Sequence, residues 1–88
     1  VELLAFASTP YDDAFRTRLL APEKGVEEVC RLNAELGLRL GETASGMLRV
    51  AEEMAVAVDA VGSHGHTLIH LPDPAQGVPC TLQVGDAA

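Results

Sequence analysis

Residues 62–86 read GSHGHTLIHLPDPAQGVPCTLQVGD. Two runs rich in apolar and β-branched residues, 67–71 and 81–84, flank a segment that contains three prolines, an aspartate and a glycine. Proline presets the backbone angle of a turn, and glycine supplies backbone conformations that other residues avoid. The pattern therefore predicts an antiparallel hairpin, with a further short strand upstream at residues 58–62.

Two helices are predicted before the hairpin. The first covers residues 10–20, with Thr9 as its N-cap and Pro10 in the first helical position. The segment 22–25, with its proline and glycine, ends that helix, and a long second helix opens at Val26. Apolar residues then recur at helical spacing and predict a buried stripe. The stripe consists of Val29, Leu32, Leu36 and Leu40.

The fold class is α/β, in the order strand, helix, long helix and three short strands. The apolar run at residues 1–8 is the first predicted strand, at least partly buried. Small residues beside the leucine stripe, at Gly37, Gly41 and either Ala44 or Ser45, predict that another backbone packs closely on the long helix. Because the chain has no initial methionine and stops where a helix is expected to start, residues 1–88 are expected to be a single partial domain.

Composition argues against several classes of function. The 88 residues carry a formal net charge of -7, which disfavours nucleic acid and anionic membrane surfaces as partners. No apolar run approaches the roughly 20 residues that span a bilayer, and no secretory signal is visible, so a cytoplasmic location is expected. Cys30 and Cys80 are expected to be free and mostly buried.

All three histidines fall within residues 64–70. In an extended segment His64, His66 and His70 share one face, which is a possible start for a tetrahedral zinc site. Hydrogen-bonded or solvent-facing histidines are the alternative. A third interpretation makes residues 62–67 a glycine-flanked loop whose polar groups face a ligand. No familiar nucleotide-binding, hydrolase or metalloprotease signature is present.

Two acidic residues near the hairpin have structural interpretations. Asp59 is expected to be a solvent-exposed turn or edge residue. Asp86 lies where the N-cap of a following helix is expected.

The blocks GSHGHT at residues 62–67 and TLQVGD at residues 81–86 together resemble the anhydro-N-acetylmuramic acid kinase family, which typically carries G-S-H-G-Q-T and T-L-Q-I-G-D. Residues 32–37, LNAELG, are compatible with the same family. The resemblance implies an incomplete ribonuclease-H-like lobe of an actin-like sugar kinase, here part of the N-terminal lobe. It also implies an ATP-dependent enzyme of bacterial cell-wall recycling.

The implied reaction hydrolyses the anhydro bond of 1,6-anhydro-N-acetylmuramic acid and phosphorylates O6, giving N-acetylmuramic acid 6-phosphate and ADP. ATP and Mg²⁺ are the cofactors implied for the full-length family. The family's phosphate loop and catalytic aspartate have no counterpart in this sequence. This chain alone is therefore expected to bind neither cofactor and to be inactive as a kinase.

The resemblance implies that Gly65, His66 and Thr67 line the sugar site, with no catalytic or metal-binding residue in this chain. His66 stands where the family usually has glutamine, so sugar binding is expected to become sensitive to pH. Expected partners are the anhydro sugar, the remainder of the kinase and a second copy in a homodimer. The alternative is a small non-enzymatic α/β module for binding or packing, including metal binding through His64, His66 and His70.

Overall fold

The computed structural model describes residues 2–86. Two α-helices precede a two-stranded antiparallel sheet, and a short 3-10 helix connects the two strands. The elements are α1 (Asp13–Leu20), α2 (Val26–Glu53), β1 (His66–Leu71), the 3-10 turn (Pro74–Gln76) and β2 (Cys80–Val84).

The predicted hairpin is confirmed. His66 pairs with Val84 at the open end of the hairpin, and Leu71 pairs with Cys80 next to the turn. The Asp73 carboxylate starts the turn, because its Oδ1 accepts a hydrogen bond of 2.9 Å from the backbone N–H of Ala75. The strand register shifts by one residue between positions 67 and 69, which is a β-bulge in β1.

The first helix begins later than the sequence pattern predicts. It starts at Asp13 rather than at Pro10, and its N-cap is Asp12 rather than Thr9. Oδ1 of Asp12 accepts a hydrogen bond of 2.8 Å from the backbone N–H of Phe15. A threonine hydroxyl could also accept this bond, but only the carboxylate adds negative charge at the positive end of the helix, which favours Asp12.

The strands predicted at residues 1–8 and 58–62 are not formed in the part that the structure describes. Residues 2–8 lie outside any sheet, and Leu3 and Phe6 are 79% and 80% exposed. Residue 1 lies outside the described residues. A strand is stable only when a neighbouring strand satisfies its backbone groups, and within residues 2–86 the sheet contains β1 and β2 alone. An apolar run does not reveal whether such a neighbour is present.

The core lies where the first half of α2 meets α1 and the end of β2. The predicted stripe on α2 is confirmed: Leu32 and Leu36 are fully buried, and Val29 and Leu40 pack beside them. Helix α1 contributes Phe15 and Leu19, and β2 contributes Val84. These contacts hold both α1 and the hairpin on the first half of the long helix.

The chain is extended for its length. Its radius of gyration is 16.2 Å, whereas a compact domain of this length has about 12 Å. An apolar groove of about 240 Å³ is open to solvent between the second half of α2, residues 56–61, and Leu4 and Ala5 near the start of the chain. Cys30 and Cys80 are exposed, so the prediction of buried thiols is wrong. None of the helices within residues 2–86 is long and apolar enough to cross a membrane.

Arg18 joins α1 to α2 through two carboxylates. Its guanidinium donates to Glu28 at 2.7 Å and to Glu35 at 2.6 Å, and all three side chains are partly exposed. The hydrogen bonds from Arg18 lower the pKa of Glu28 and the pKa of Glu35. The same pairing raises the pKa of Arg18.

Arg39 makes the second junction between the two helices. Its guanidinium lies 3.9 Å from the centre of the Phe15 ring and donates to Asp12 at 2.9 Å. The N–H of Phe15 and, next, the side chain of Arg39 lower the pKa of Asp12. The cation therefore covers the outer face of a buried aromatic ring and also supports the helix cap.

We expect thermal stability to fall in acid. Asp12, Glu28 and Glu35 have a lower pKa in the folded chain, so the unfolded chain binds more protons and stability rises with pH. The stabilisation is complete above the ordinary carboxyl range of about 4 and is lost as pH falls below it. Melting temperatures measured between about pH 6 and about pH 2 will check this. Arg18→Gln should flatten the profile, and an unchanged slope in this variant would contradict the assignment.

Leu36→Ala should lower the free energy of unfolding by about 2–5 kcal/mol, because the buried side chain leaves a cavity against α1 and β2. Leu38→Ala is the matched control on the same helix, since Leu38 is 70% exposed. Its effect should stay within about 0.5 kcal/mol. Urea unfolding followed by circular dichroism measures both values. Equal losses in the two variants would show that the predicted stripe does not form the core.

Candidate functional site

Two glycines meet at the open end of the hairpin. Gly65 precedes β1 with φ +65°, and Gly85 follows β2 with φ +121°, so both occupy conformations that favour glycine. A Cβ on Gly65 would overlap the carbonyl oxygen of Val84, and a Cβ on Gly85 would lie 3.2 Å from the Cα of Gly65. The two backbones therefore approach more closely than side chains would allow.

Helix α2 holds this glycine pair through Asn33. The backbone N–H of Gly85 donates to Oδ1 of Asn33 at 2.8 Å, and the N–H of Asp86 donates to the carbonyl oxygen of Asn33 at 3.0 Å. One turn further along, a Cβ on Gly37 would overlap the carbonyl oxygen of Asp86. Residues 85 and 86 thus lie directly against the backbone of α2.

The predicted close approach on α2 is confirmed at Gly37 and is not found at Gly41 among residues 2–86. Residues 85 and 86 are the backbone that packs on Gly37, whereas no atom of the described residues lies within 4 Å of a Cβ built on Gly41. Within residues 2–86, the backbone that follows β2 lies against one turn of α2, from Asn33 to Gly37. The spacing of the small residues predicts which face of α2 is contacted, but it does not predict how many helical turns the contact covers.

The predicted sugar-site residues Gly65, His66 and Thr67 are consecutive at the start of β1. Gly65 and His66 are half-buried, and Thr67 is exposed. Successive strand residues point to opposite faces, so the side chains of His66 and Thr67 do not share a face of the sheet. A ligand that contacts both must therefore lie at the end of the strand, beside the backbone of Gly65.

Gln83 orients Thr67 from the neighbouring strand. Its amide group donates to Oγ1 of Thr67 at 3.3 Å and to Oγ1 of Thr81 at 2.9 Å. A threonine hydroxyl has one proton and two lone pairs. Because Oγ1 of Thr67 accepts from Gln83, its own proton remains for donation to an acceptor outside the strand pair.

The histidine cluster does not form a common face. His64 lies before the left-handed turn at Gly65, and the bulge between residues 67 and 69 interrupts the alternation between His66 and His70. Within residues 2–86, no group of three or more His, Cys, Asp or Glu side chains is arranged to hold a metal. The geometry does not favour the alternative of a metal-binding module through His64, His66 and His70.

An open cleft of about 860 Å³ lies beside the glycine pair. Its walls are the small-residue face of α2 on one side and Ser63, Gly85 and Asp86 on the other. Gly65, His66 and Thr67 are not among the lining residues, so the cleft adjoins the predicted site without containing it.

Asp59 is exposed, as expected. The predicted capping role of Asp86 concerns residues 87 and 88, which lie outside the described residues.

Asn33 and Gln83 are the residues to which the sequence analysis assigned no role in the site. Both stand within the blocks that carry the family resemblance, and membership of these blocks is one signal that could have identified them as site residues. Asn33 is also a polar residue between Leu32 and Leu36 of the buried stripe. Buried polar groups need hydrogen-bond partners, so a half-buried asparagine next to a core stripe indicates a specific contact.

Comparison with known proteins supports the resemblance over the whole sequence. The model of the anhydro-N-acetylmuramic acid kinase family matches residues 1–88. The anhydro-N-acetylmuramic acid kinase of Salinibacter ruber is 42% identical, with 93% of this chain and 23% of the relative covered. Those of Caldanaerobacter subterraneus subsp. tengcongensis and Bacillus cereus are 34% and 32% identical, with all of this chain and 24% of each relative covered.

No solved structure shows a significant match to the chain. The relatives are kinases by name, and kinases are a class of phosphotransferases. The chain belongs to the anhydro-N-acetylmuramic acid kinase family. It spans about a quarter of the length of the curated relatives that it matches, at 24% of the first two.

Gly37→Ala and Gly41→Ala should have opposite effects on stability. Alanine is the better helix former, so Gly41→Ala should raise the free energy of unfolding by about 0.5–1 kcal/mol. In Gly37→Ala the new methyl group meets the backbone of Asp86, and we expect a loss of about 1–3 kcal/mol. Urea unfolding of the two variants provides the comparison. A gain in both would rule out the tight contact at Gly37.

Proposed function

We propose that this chain forms part of the sugar site of an ATP-dependent kinase that cleaves the anhydro bond of 1,6-anhydro-N-acetylmuramic acid and phosphorylates O6. The product is N-acetylmuramic acid 6-phosphate, an intermediate of cell-wall recycling, and the proposed location is the cytoplasm. The observation that supports this most is the contact between Gly65 and Gly85. It joins the two sequence blocks that carry the family resemblance into one structural unit.

Each proposed site residue has a group suited to a sugar. The turn at Gly65 leaves no side chain between the backbone and a ligand at the end of β1. A neutral imidazole at His66 offers one donor and one acceptor, the pair that a sugar hydroxyl requires. Thr67 supplies the hydroxyl proton that its bond with Gln83 leaves for a ligand. These residues bind and orient the sugar. They contribute to catalysis by holding the substrate in position for the reaction.

ATP and Mg²⁺ belong to the proposed reaction, but the residues of this chain do not fit a nucleotide and metal site. The sequence has no phosphate-binding loop signature. The part of the chain that the structure describes groups no three acidic, histidine or cysteine side chains around one point. We therefore derive no step through either cofactor and assign the residues of this chain to the sugar alone.

The proposed architecture is part of a ribonuclease-H-like N-terminal lobe of an actin-like sugar kinase. The proposed partners are the anhydro sugar and the remainder of the kinase. The apolar groove on the second half of α2 is consistent with a further packing partner. A homodimer is also proposed, and sedimentation equilibrium of the full-length protein measures it directly.

His66→Ala should weaken binding of 1,6-anhydro-N-acetylmuramic acid to the full-length protein by about three- to tenfold, because a hydrogen bond to the sugar is lost. His66→Gln should preserve or improve the affinity, since glutamine also offers a donor and an acceptor. Isothermal titration calorimetry with the sugar measures both.

His70→Ala is the matched control for these variants. His70 is an exposed residue of the same strand, away from the glycine pair, so its loss should leave the affinity unchanged. Unchanged affinity in both His66 variants would remove His66 from the site. Equal losses in His66→Ala and His70→Ala, reproduced in the wild type by a chelator, would instead favour metal binding through the histidines.

A further inference from the structure

Asn33 connects the long helix to the end of the hairpin through hydrogen bonds, in addition to the apolar packing between these elements. Its side-chain oxygen and its main-chain oxygen accept the N–H groups of two successive residues, Gly85 and Asp86. Asn33 and Gly85 are 52 positions apart in sequence, so this is a long-range contact. Backbone groups that leave a sheet need such partners when water does not reach them.

The contact extends from Asn33 to the proposed sugar site in two steps. Gly85 lies against Gly65: a Cβ on Gly65 would overlap the carbonyl oxygen of Val84, and a Cβ on Gly85 would lie only 3.2 Å from the Cα of Gly65. Gly65 is bonded covalently to His66, and His66 pairs with Val84, the residue before Gly85. A displacement of Gly85 must therefore move two neighbours of His66: Gly65, which precedes it in the chain, and Val84, which pairs with it across the sheet.

The position of Asn33 on the helix makes a role in helix stability a weak explanation. Asparagine is a poor helix former in the interior of a helix, and alanine is the best. Asn33 lies well inside α2, seven residues after its start at Val26. A residue that served the helix alone would be better replaced by alanine.

We infer that Asn33 is a positioning residue for the sugar site, which holds Gly65 and His66 in place through Gly85. The inference rests on the proposed function, because it assigns Asn33 to the same sugar-binding strand end. Asn33 does not contact the sugar. It acts through the backbone of residues 85 and 65.

The test compares Asn33→Ala and Asn33→Asp in the full-length protein, with 1,6-anhydro-N-acetylmuramic acid as the probe. Asn33→Ala removes the acceptor of the Gly85 N–H and should raise the dissociation constant of the sugar by about three- to tenfold. An aspartate carboxylate still accepts that N–H, so Asn33→Asp should stay within about threefold of the wild type. Because aspartate and asparagine have nearly the same volume, Asn33→Leu separates the two roles: it fills the space without an acceptor for the Gly85 N–H, so it should lose affinity as Asn33→Ala does.

Amide hydrogen exchange provides a second measurement, which does not depend on the sugar. In Asn33→Ala the amide of Gly85 should exchange faster than in the wild type, and in Asn33→Asp it should remain protected. Val29→Ala is the matched control for stability. Val29 lies on the same helix and packs against the core, so its loss should lower stability and leave the dissociation constant unchanged.

The outcomes separate this inference from the function on which it rests. If His66→Ala weakens sugar binding and folded Asn33→Ala does not, the positioning role is overturned and the sugar site stands. If neither variant changes the affinity, the proposed sugar site is overturned and this inference with it. If Asn33→Ala does not fold, the test rests on Asn33→Asp. Sugar binding by Asn33→Asp as weak as that of His66→Ala would overturn the inference.

Discussion

The structure depends on where the backbone goes when it leaves β2. Strand pairing satisfies the backbone groups up to Val84, and the next two N–H groups turn away from the sheet. Asn33 supplies acceptors for both, one from its side chain and one from its main chain. Because the hairpin is attached to the helix here, the burial of Val84 against Leu32 and Leu36 follows from the same contact.

A different kind of contact attaches the first helix. The guanidinium groups of Arg18 and Arg39 lie 5.9 and 3.9 Å from the centre of the Phe15 ring. Arg18 also pairs with two carboxylates, and Arg39 pairs with one. Ion pairs of this exposure contribute little free energy individually. Their greater effect here is on orientation, since they fix α1, which carries Phe15, in one position on α2. The apolar contacts of Phe15 and Leu19 supply most of the stabilisation.

The parts of the fold that the sequence predicts are those that neighbouring residues determine. The hairpin depends on the turn at residues 73–77, and the stripe on α2 depends on helical spacing. The strands at residues 1–8 and 58–62 were wrong because pairing requires a partner that a local pattern does not reveal. The role of Asn33 was missed for the same reason, since its partner lies 52 positions away. The cap at Asp12 was missed because three polar residues compete within residues 9–13.

The geometry also explains why the family resemblance is divided between two blocks. Both Gly65 and Gly85 have positive φ angles that favour glycine, and a side chain on Gly65 would overlap the backbone of Val84. A ligand that contacts the start of β1 therefore depends on residues that follow β2. The turn between the strands has no such contact with the site, because it lies at the opposite end of the hairpin. Residues 62–67 and 81–86 are thus one physical unit, and the block that contains Asn33 is the support on which that unit rests.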